Sequence, residues 1–398
     1  MSPIVDEGNR LVSKPLVEPA DSLSSEELER YSRHILIPEI GIVGQLRLKN
    51  SRVLVVGAGG LGSPALLYLA AAGVGTLGII DDDVVDVTNL QRQIIHGVTD
   101  VGRSKLLSAR DAVAELNPLV TVVLHETQLT AENALELFTD YDLIIDGTDN
   151  FSTRYLVCDA AAILGKPSVW GSIFRFDGQV SVSWQTHGAT YRDLYPEAPA
   201  DGSAPSCGEG GVFGMICAAI GSVMVAETIK LITGVGRTLV DRVLFFDALN
   251  ASWREVAVRR DPARANISTL IDYATFCGVA SIPDAAELPS IDVHELARLL
   301  DQRAAGAAEF ELIDVREPAE HAIVSIPGSR LIPQELIFSG EATGLLSRDQ
   351  DLVLHCKSGV RSGAALTELR RQGYTRVTHL EGGVLDWVAK INPSLANY

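Results

Sequence analysis

From Val53 to Ile80 the chain runs without one charged side chain, and seven of these residues are glycine. By length alone the stretch is enough to cross a bilayer. Its glycines, Pro64 and the three aspartates that follow at once (Asp81, Asp82, Asp83) are wrong for a continuous apolar helix. They suit a different object. Arg52-Val53-Leu54-Val55-Val56 reads as a buried strand, Gly57-Ala58-Gly59-Gly60-Leu61-Gly62 as a tight turn, Pro64 to Ala72 as a helix and Thr76 to Ile80 as a second strand. Such a unit needs a sheet to join, and no membrane.

The same alternation continues. Asp100 to Leu116 has helical spacing, Thr121 to Leu124 is a strand, and Leu143 to Ile145 is another, ending at Asp146-Gly147-Thr148-Asp149. Strands alternating with helices predict a parallel sheet covered on both faces. Residues 188–211 interrupt the pattern. They form a loop rich in Gly, Pro, Ala and Ser that holds Cys207, a length that usually has a function. Val212 to Ile232 then reads as a buried helix. After a linker over 261–290, a second αβ series begins at Asp292: a helix, strands at Phe310–Ile313 and Leu352–His355, a helix over Ser362–Gln372 and a strand at Val377–Leu380. The organisation expected is a loose arm (1–25, with Ser24 capping the first helix), an α/β domain (26–260), the linker, and a smaller α/β domain (291–398). A length of 398 residues agrees with two domains.

The formal charge of −18 repels phosphate backbones, so nucleic acid is not expected as a partner. The five cysteines are odd in number and none forms a C-x-x-C pair. That argues against a secreted disulfide framework and against structural zinc. The first residues, MSPIVDEGNRLV, show no basic-then-apolar leader, so a cytoplasmic location is expected.

A Gly57-x-Gly59-x-x-Gly62 turn between a strand and a helix lets backbone N–H groups approach phosphates, with the helix N-terminus adding positive potential. Asp81 ends the next strand, where an acid meets a ribose hydroxyl. This much says nucleotide without saying which; a dehydrogenase would look the same. Asn89-Leu90-Gln91-Arg92-Gln93, then Lys105, then Asp149 add two cations and a carboxylate. That set suits a triphosphate with magnesium better than a nicotinamide diphosphate. Taken singly, Lys105 could be a solvated helix residue, Arg92 an inert loop residue and Asp149 the cap of the helix after it; the argument lies in their combination.

GAGGLG, DDDVVDVTNLQRQ, GRSK and DGTDN resemble the E1-like adenylyltransferases that activate ubiquitin-like sulfur carriers in molybdenum-cofactor, thiamine and cysteine synthesis. The resemblance covers about Glu26 to Arg260. It implies a Rossmann-like fold and a reaction in which ATP adenylylates the carrier's C-terminal Gly-Gly carboxylate. It further implies that Gly57, Gly59, Gly60 and Gly62 line the nucleotide site with Asn89, that Asp81 meets the ribose, that Lys105 contacts the phosphates and that Asp149 binds Mg2+. Arg33, in Arg30-Tyr31-Ser32-Arg33, and Arg92 are implied to reach in from a partner subunit, hence a homodimer. Cys207, in SCGEGG, matches a loop cysteine that is covalently catalytic in some relatives and passive in others. Many relatives hold zinc in two C-x-x-C pairs; here Thr190-Tyr191-Arg192-Asp193 takes the first place and only Cys277 remains near the second, so no zinc is expected.

The stretch LHCKSGVRS, residues 354–362, places Cys356 after a strand, with Arg361 closing the loop before a helix. Backbone N–H groups converging at a helix start stabilise a thiolate. The loop resembles the active site of rhodanese-like sulfurtransferases, as do Asp314-Val315-Arg316-Glu317, Ile326-Pro327-Gly328 and Leu380-Glu381-Gly382-Gly383-Val384. Four residues separate Cys356 from Arg361, one fewer than in phosphatases with a related cradle, and the smaller ring fits a persulfide. The resemblance implies that Cys356 carries sulfur as a persulfide, with Arg361 and backbone amides stabilising its charge. The donor would be a cysteine desulfurase or thiosulfate. Together the halves imply activation of a carrier followed by its sulfuration to a thiocarboxylate. Two other readings stay open at this point: an NAD(P)-dependent oxidoreductase with a regulatory thiol domain, and a carrier-docking protein without chemistry.

Overall fold

The protein is described from a computed structural model, in residues 14–198, 210–277 and 288–398. The chain divides into two compact units, Met1–Ala280 and Ser281–Tyr398.

The first unit is built on an eight-stranded sheet. Its strands are β1 (Arg52–Val56), β2 (Thr76–Ile80), β3 (Thr121–His125), β4 (Leu143–Asp146), β5 (Ser168–Phe174), β6 (Asp177–Ser183), β7 (Arg242–Asp247) and β8 (Ser252–Ala257), in the spatial order β3-β2-β1-β4-β5-β6-β7-β8. β1 lies between β2 and β4 in parallel register, with Val55 beside both Ile79 and Ile145. The chain winds outward from β1 through β2 and β3, then returns to the other side of β1. This reversal opens a crevice at the carboxyl ends of β1 and β4, where ligands of such sheets bind. Alternate strand residues point to opposite faces. Val53, Val55, Leu77 and Ile79 bury against the helices Gly62–Ala72 and Gly214–Thr233, and Leu54, Val56, Ile80 and Ile144 against the helix Phe151–Ile163.

Gly214–Thr233 is the one described helix long and apolar enough to cross a membrane. Ile216, Ile220, Met224 and Ile232 seat it in the core of the first unit instead.

The second unit is a five-stranded parallel sheet. Its strands are β9 (Ser290–Ile291), β10 (Glu311–Asp314), β11 (Ser329–Leu331), β12 (Leu352–His355) and β13 (Val377–Leu380), ordered β11-β10-β12-β13-β9. Ile313 and Leu354 fill one face and Leu312 and Val353 the other. The helix Val293–Ala304 starts at Asp292, whose side chain accepts the N–H of Glu295. Val360–Arg371 and Gly383–Lys390 follow β12 and β13.

Four expectations change. The first sheet is parallel only as far as β5; β6, β7 and β8 extend it antiparallel. The arm is not loose where it is described, because Leu16 and Ala20 donate to the carbonyls of Leu231 and Leu46 and Val17 is buried. The supposed linker is part of the first unit up to Cys277. Ile267 donates its N–H to Gln185 Oε1, and Tyr273 is buried with its hydroxyl on Asp159. A few long-range anchors hold that polar stretch, so no local periodicity announces it. The helix expected from Asp100 begins at Lys105, after a separate turn at Val98–Asp100.

Candidate functional site

At the crevice the chain turns sharply after β1. Gly62 has no room for a side chain, because a Cβ there would stand 1.9 Å from the Gly57 carbonyl oxygen. The turn is pinned from both sides. Asp81 Oδ2 accepts the N–H of Ala58 at 2.8 Å and Oδ1 that of Asp83 at 2.9 Å. Burial pushes the Asp81 carboxyl above its ordinary range, and those amides and Lys105 work against the shift. Buried His96 bonds the Ala58 carbonyl through Nε2 (3.0 Å) and Ser108 Oγ through Nδ1 (2.8 Å). Burial lowers its pKa, so the ring stays neutral and the turn keeps its shape.

A cavity of about 460 Å³ opens above this turn, lined by Gly57, Gly59, Gly60, Asp81, Arg92, Lys105 and Asp149. Lys105 is only 6% exposed and its ammonium donates to Asp83 at 2.8 Å. Arg92 Nη1 donates to the Thr88 carbonyl at 3.1 Å. Asp149 is left to the cavity, since the helix after it is capped by Asn150, whose side chain accepts the N–H of Thr153. That removes the reading of Asp149 as a cap. A glycine turn with two cations and a carboxylate beside it makes a site with the right chemistry for a metal-bound triphosphate.

Two residues expected to line the nucleotide site, Gly62 and Asn89, do not line the cavity. Gly62 packs the helix against the turn and is not among the residues lining the cavity. Asn89 accepts the Asp86 N–H and gives its carbonyl to the N–H groups of Arg92 and Gln93, so it shapes the loop that presents them. Arg92, expected from a partner subunit, lines the cavity of its own chain. Arg33 is exposed, on the helix Ser32–Ile35, and does not line the cavity of its own chain. Cys207 lies outside the described residues.

Where the resemblance placed the first C-x-x-C pair, a short helix, Tyr191–Leu194, carries a cation instead. Arg192 grips Asp159 through Nε and Nη2 at 2.9 and 2.7 Å, the Tyr273 hydroxyl donates to the same carboxylate at 2.8 Å, and the rings of Tyr155 and Phe276 flank the guanidinium. A guanidinium already on the local carboxylate is not a zinc donor set. The nearby Cys277 thiol is raised by burial, and Cys158 is pushed to about 12, so neither is a ready nucleophile.

In the second unit Cys356 directly follows β12 and is 1% exposed. Gly359, at φ +99°, turns the loop so that its N–H points at Cys356 Sγ, 3.1 Å away. That left-handed angle suits glycine and strains other residues. Arg361 is paired with a carboxylate. Its two Nη atoms bind Glu320 Oε1 and Oε2, each at 2.7 Å. Although burial opposes it, Arg361 holds the Glu320 carboxyl below its ordinary range. Tyr398 donates to Glu320 Oε1 at 2.9 Å and accepts from Arg316 Nη1 at 2.6 Å, with the Lys357 ammonium 4.5 Å from its ring centre. Beneath lies a wholly buried pair, Asp314–Arg316, at 2.6 Å. Burial opposes ionisation of Asp314, yet Arg316, His355 and His321 bring it down to about 2. Glu320 and Tyr398 are the functional neighbours that sequence reasoning passed over. Asp314 and Arg316 stood in a recognised motif, whereas Glu320 and Tyr398 carry no local pattern.

A nucleotide crevice of this build on one unit and a thiol cradle on the other define an adenylyltransferase coupled to a sulfurtransferase. The chain belongs to the ThiF family, which matches residues 31–266, and a rhodanese-like domain matches residues 292–390. It is 55% identical over 390 residues to the "Probable adenylyltransferase/sulfurtransferase MoeZ" of Mycobacterium tuberculosis H37Rv, covering 96% of this chain and 98% of that protein. The sulfur carrier protein adenylyltransferase of Thermus thermophilus is 48% identical over 64% of this chain and 98% of its own length. The adenylyltransferase and sulfurtransferase MOCS3 of Aedes aegypti is 37% identical over 95% of this chain and 90% of its own length. Among solved structures, E. coli MccB with ATP superposes with a TM-score of 0.54 at 19% identity, over 61% of this chain and 75% of that one. The corresponding values for PaaA are 0.52, 24%, 61% and 76%. These two likenesses show the fold.

Proposed function

We infer that this enzyme uses ATP to adenylylate the C-terminal glycine of a ubiquitin-like sulfur carrier and then sulfurates it from Cys356. The observation that carries the reading is the pairing, in one chain, of an anion-ready crevice holding Lys105, Arg92 and Asp149 with a thiol whose sulfur faces a backbone N–H.

A carboxylate is a poor electrophile, because attack on it must push out an oxygen dianion. Bound in the crevice, the carrier carboxylate attacks the α-phosphorus of ATP and pyrophosphate leaves. Backbone N–H groups of the Gly57–Gly60 turn, Lys105 and Arg92 take up the charge that moves onto the leaving group. Lys105 gives up Asp83 for the phosphates, an exchange that water makes easy because the Asp83 side chain is 68% exposed. Asp149 would hold Mg2+, which supplies further neutralisation of the triphosphate when bound.

Sulfur arrives as a persulfide on Cys356, from a desulfurase or thiosulfate. The terminal sulfur stands about 2 Å beyond Sγ, so a thiol set at the base of its loop can still present a nucleophile outside it. Its anion attacks the acyl-adenylate, AMP leaves, and an acyl disulfide joins Cys356 to the carrier. A thiol reductant then breaks the S–S bond, giving the carrier thiocarboxylate and free Cys356. The two centres must meet during turnover. A homodimer completed by Arg33, a role for Cys207, a cytoplasmic location and service to molybdenum-cofactor, cysteine or thiamine synthesis belong to the same reading.

The test combines ATP–pyrophosphate exchange with intact-mass analysis of a carrier ending in Gly-Gly. Cys356→Ala is expected to keep exchange and lose the carrier's gain of sulfur. Normal sulfuration by that variant would reject the persulfide step. NAD(P) binding in place of exchange would favour the oxidoreductase.

A further inference from the structure

Asp149 sits on a turn that is gripped from two sides. Below it, Asp146 is 1% exposed and its Oδ1 accepts both the N–H (3.0 Å) and the hydroxyl (2.6 Å) of Thr148. Above it, Arg154 comes from the helix Phe151–Ile163 and lines the nucleotide cavity. It is 4% exposed, and its Nη2 donates to the carbonyls of Thr148 (2.8 Å) and Gly171 (2.9 Å). The Thr148 carbonyl belongs to the peptide bond that leads into Asp149. Arg154 therefore fixes the plane of that peptide and ties it to β5.

The grip is costly. Arg154 Nε and Asp146 Oδ2 face each other at 3.4 Å, and neither atom has a hydrogen bond among the described residues. A buried ion pair is a poor way to gain stability; apolar residues of the same volume usually serve as well or better. Buried polar atoms left short of partners call for another reason. Here the pair lies under the carboxylate of a nucleotide site, and Tyr191, buried against Trp170 and Tyr155, backs the guanidinium at 6.0 Å. Local shape is what the pair provides.

We propose that Arg154 is the positioning residue for Asp149, holding the Thr148–Asp149 peptide so that the carboxylate meets the metal of a metal–triphosphate. The proposal rests on the reading of Asp149 as the metal carboxylate. Arg154 touches neither metal nor phosphate in this role. Lysine cannot replace it, because only the planar guanidinium can serve two carbonyls and still face Asp146.

The experiment measures ATP dissociation constants on the full chain, with and without Mg2+, by calorimetry. In the parent protein Mg2+ tightens ATP binding. Arg154→Lys is expected to cut that tightening about tenfold, the usual effect of a lost supporting contact, a larger change than it makes in metal-free ATP binding. Asp149→Asn is expected to abolish the tightening, and adding Arg154→Lys to it to change nothing more. Asp146→Asn, which keeps the acceptor for Thr148 and removes the counter-charge, is expected to act like Arg154→Lys; it decides the matter if Arg154→Lys fails to fold. If Asp149→Asn leaves the tightening intact, the metal reading of Asp149 is wrong. If Asp149→Asn removes it but Arg154→Lys weakens both forms of ATP equally, or neither, Asp149 keeps its role and Arg154 loses the one proposed.

Discussion

The nucleotide crevice and the thiol cradle both prepare for an anion, and they are made of different material. In the crevice the cation Lys105 is held by Asp83, a carboxylate standing mostly in water, so an incoming phosphate can take Asp83's place at little cost. In the cradle the cation Arg361 is locked in a two-pronged pair with Glu320, whose side chain is 5% exposed and which Tyr398 also holds. Arg361 is thereby neutralised and anchored. The Cys356 sulfur itself meets a backbone N–H, that of Gly359. One centre works with displaceable side chains and the other with fixed amides over a buried ionic frame.

The sharpest way to break this contrast is to cut each centre separately. Cys356→Ala should abolish sulfur transfer and leave pyrophosphate exchange unchanged. Lys105→Met should lower exchange by about 10²–10³-fold, the usual effect of losing a charge-stabilising donor, while Cys356 still loads with sulfur. Loss of exchange in Cys356→Ala, or of Cys356 loading in Lys105→Met, would undo the separation.

The next effects are on stability. Glu320→Gln leaves Arg361 and Tyr398 with half a partner in a mostly buried place, and should destabilise the second unit by about 3 kcal/mol, read as a lower melting transition of the full chain. His355 adds a pH dependence. It is wholly buried, 3.9 Å from Asp314, and burial pulls its pKa from 6.5 to about 4. The unfolded chain takes up that proton below about pH 6.5 and the folded one only near pH 4, so stability should fall as pH drops through this window. Asp314, held near 2 against an ordinary 3.8, adds stability that is full above its ordinary value and lost between there and about 2. His355→Phe should flatten the upper part of the melting profile. The smallest effect should come from Asp83→Asn. A mostly exposed partner contributes under about 1 kcal/mol, so melting should hardly move and ATP should still bind.

The same division decides how much could be read in the sequence. Gly57 to Gly62 and Cys356 to Arg361 are contiguous, and each declares its chemistry through local backbone demands, so both centres were legible with most of the strands around them. What stayed hidden lies at long range. Glu320 is 41 residues from Arg361 and Tyr398 is 78 from Glu320. Tyr273 meets Asp159 across 114 residues, which made a packed segment resemble a linker. Arg154 carries no sequence signal, because the partners of its Nη2 are backbone carbonyls. β5, β6 and β7 went unread, as did β8, which is exposed along its whole length and lacks the alternation that marks a half-buried strand. Arg92 was assigned to a partner subunit by resemblance, where the chain's own loop brings it to the cavity.

The central claim, that one chain both activates the carrier and hands it sulfur through Cys356, is tested most directly by trapping the covalent adduct. Persulfidated enzyme, a Gly-Gly carrier and Mg-ATP are mixed without reductant, digested, and the linked cysteine mapped by mass spectrometry. The account predicts an acyl disulfide on Cys356 that thiols release as carrier thiocarboxylate. An adduct confined to Cys207, with sulfuration persisting in Cys356→Ala, would contradict it.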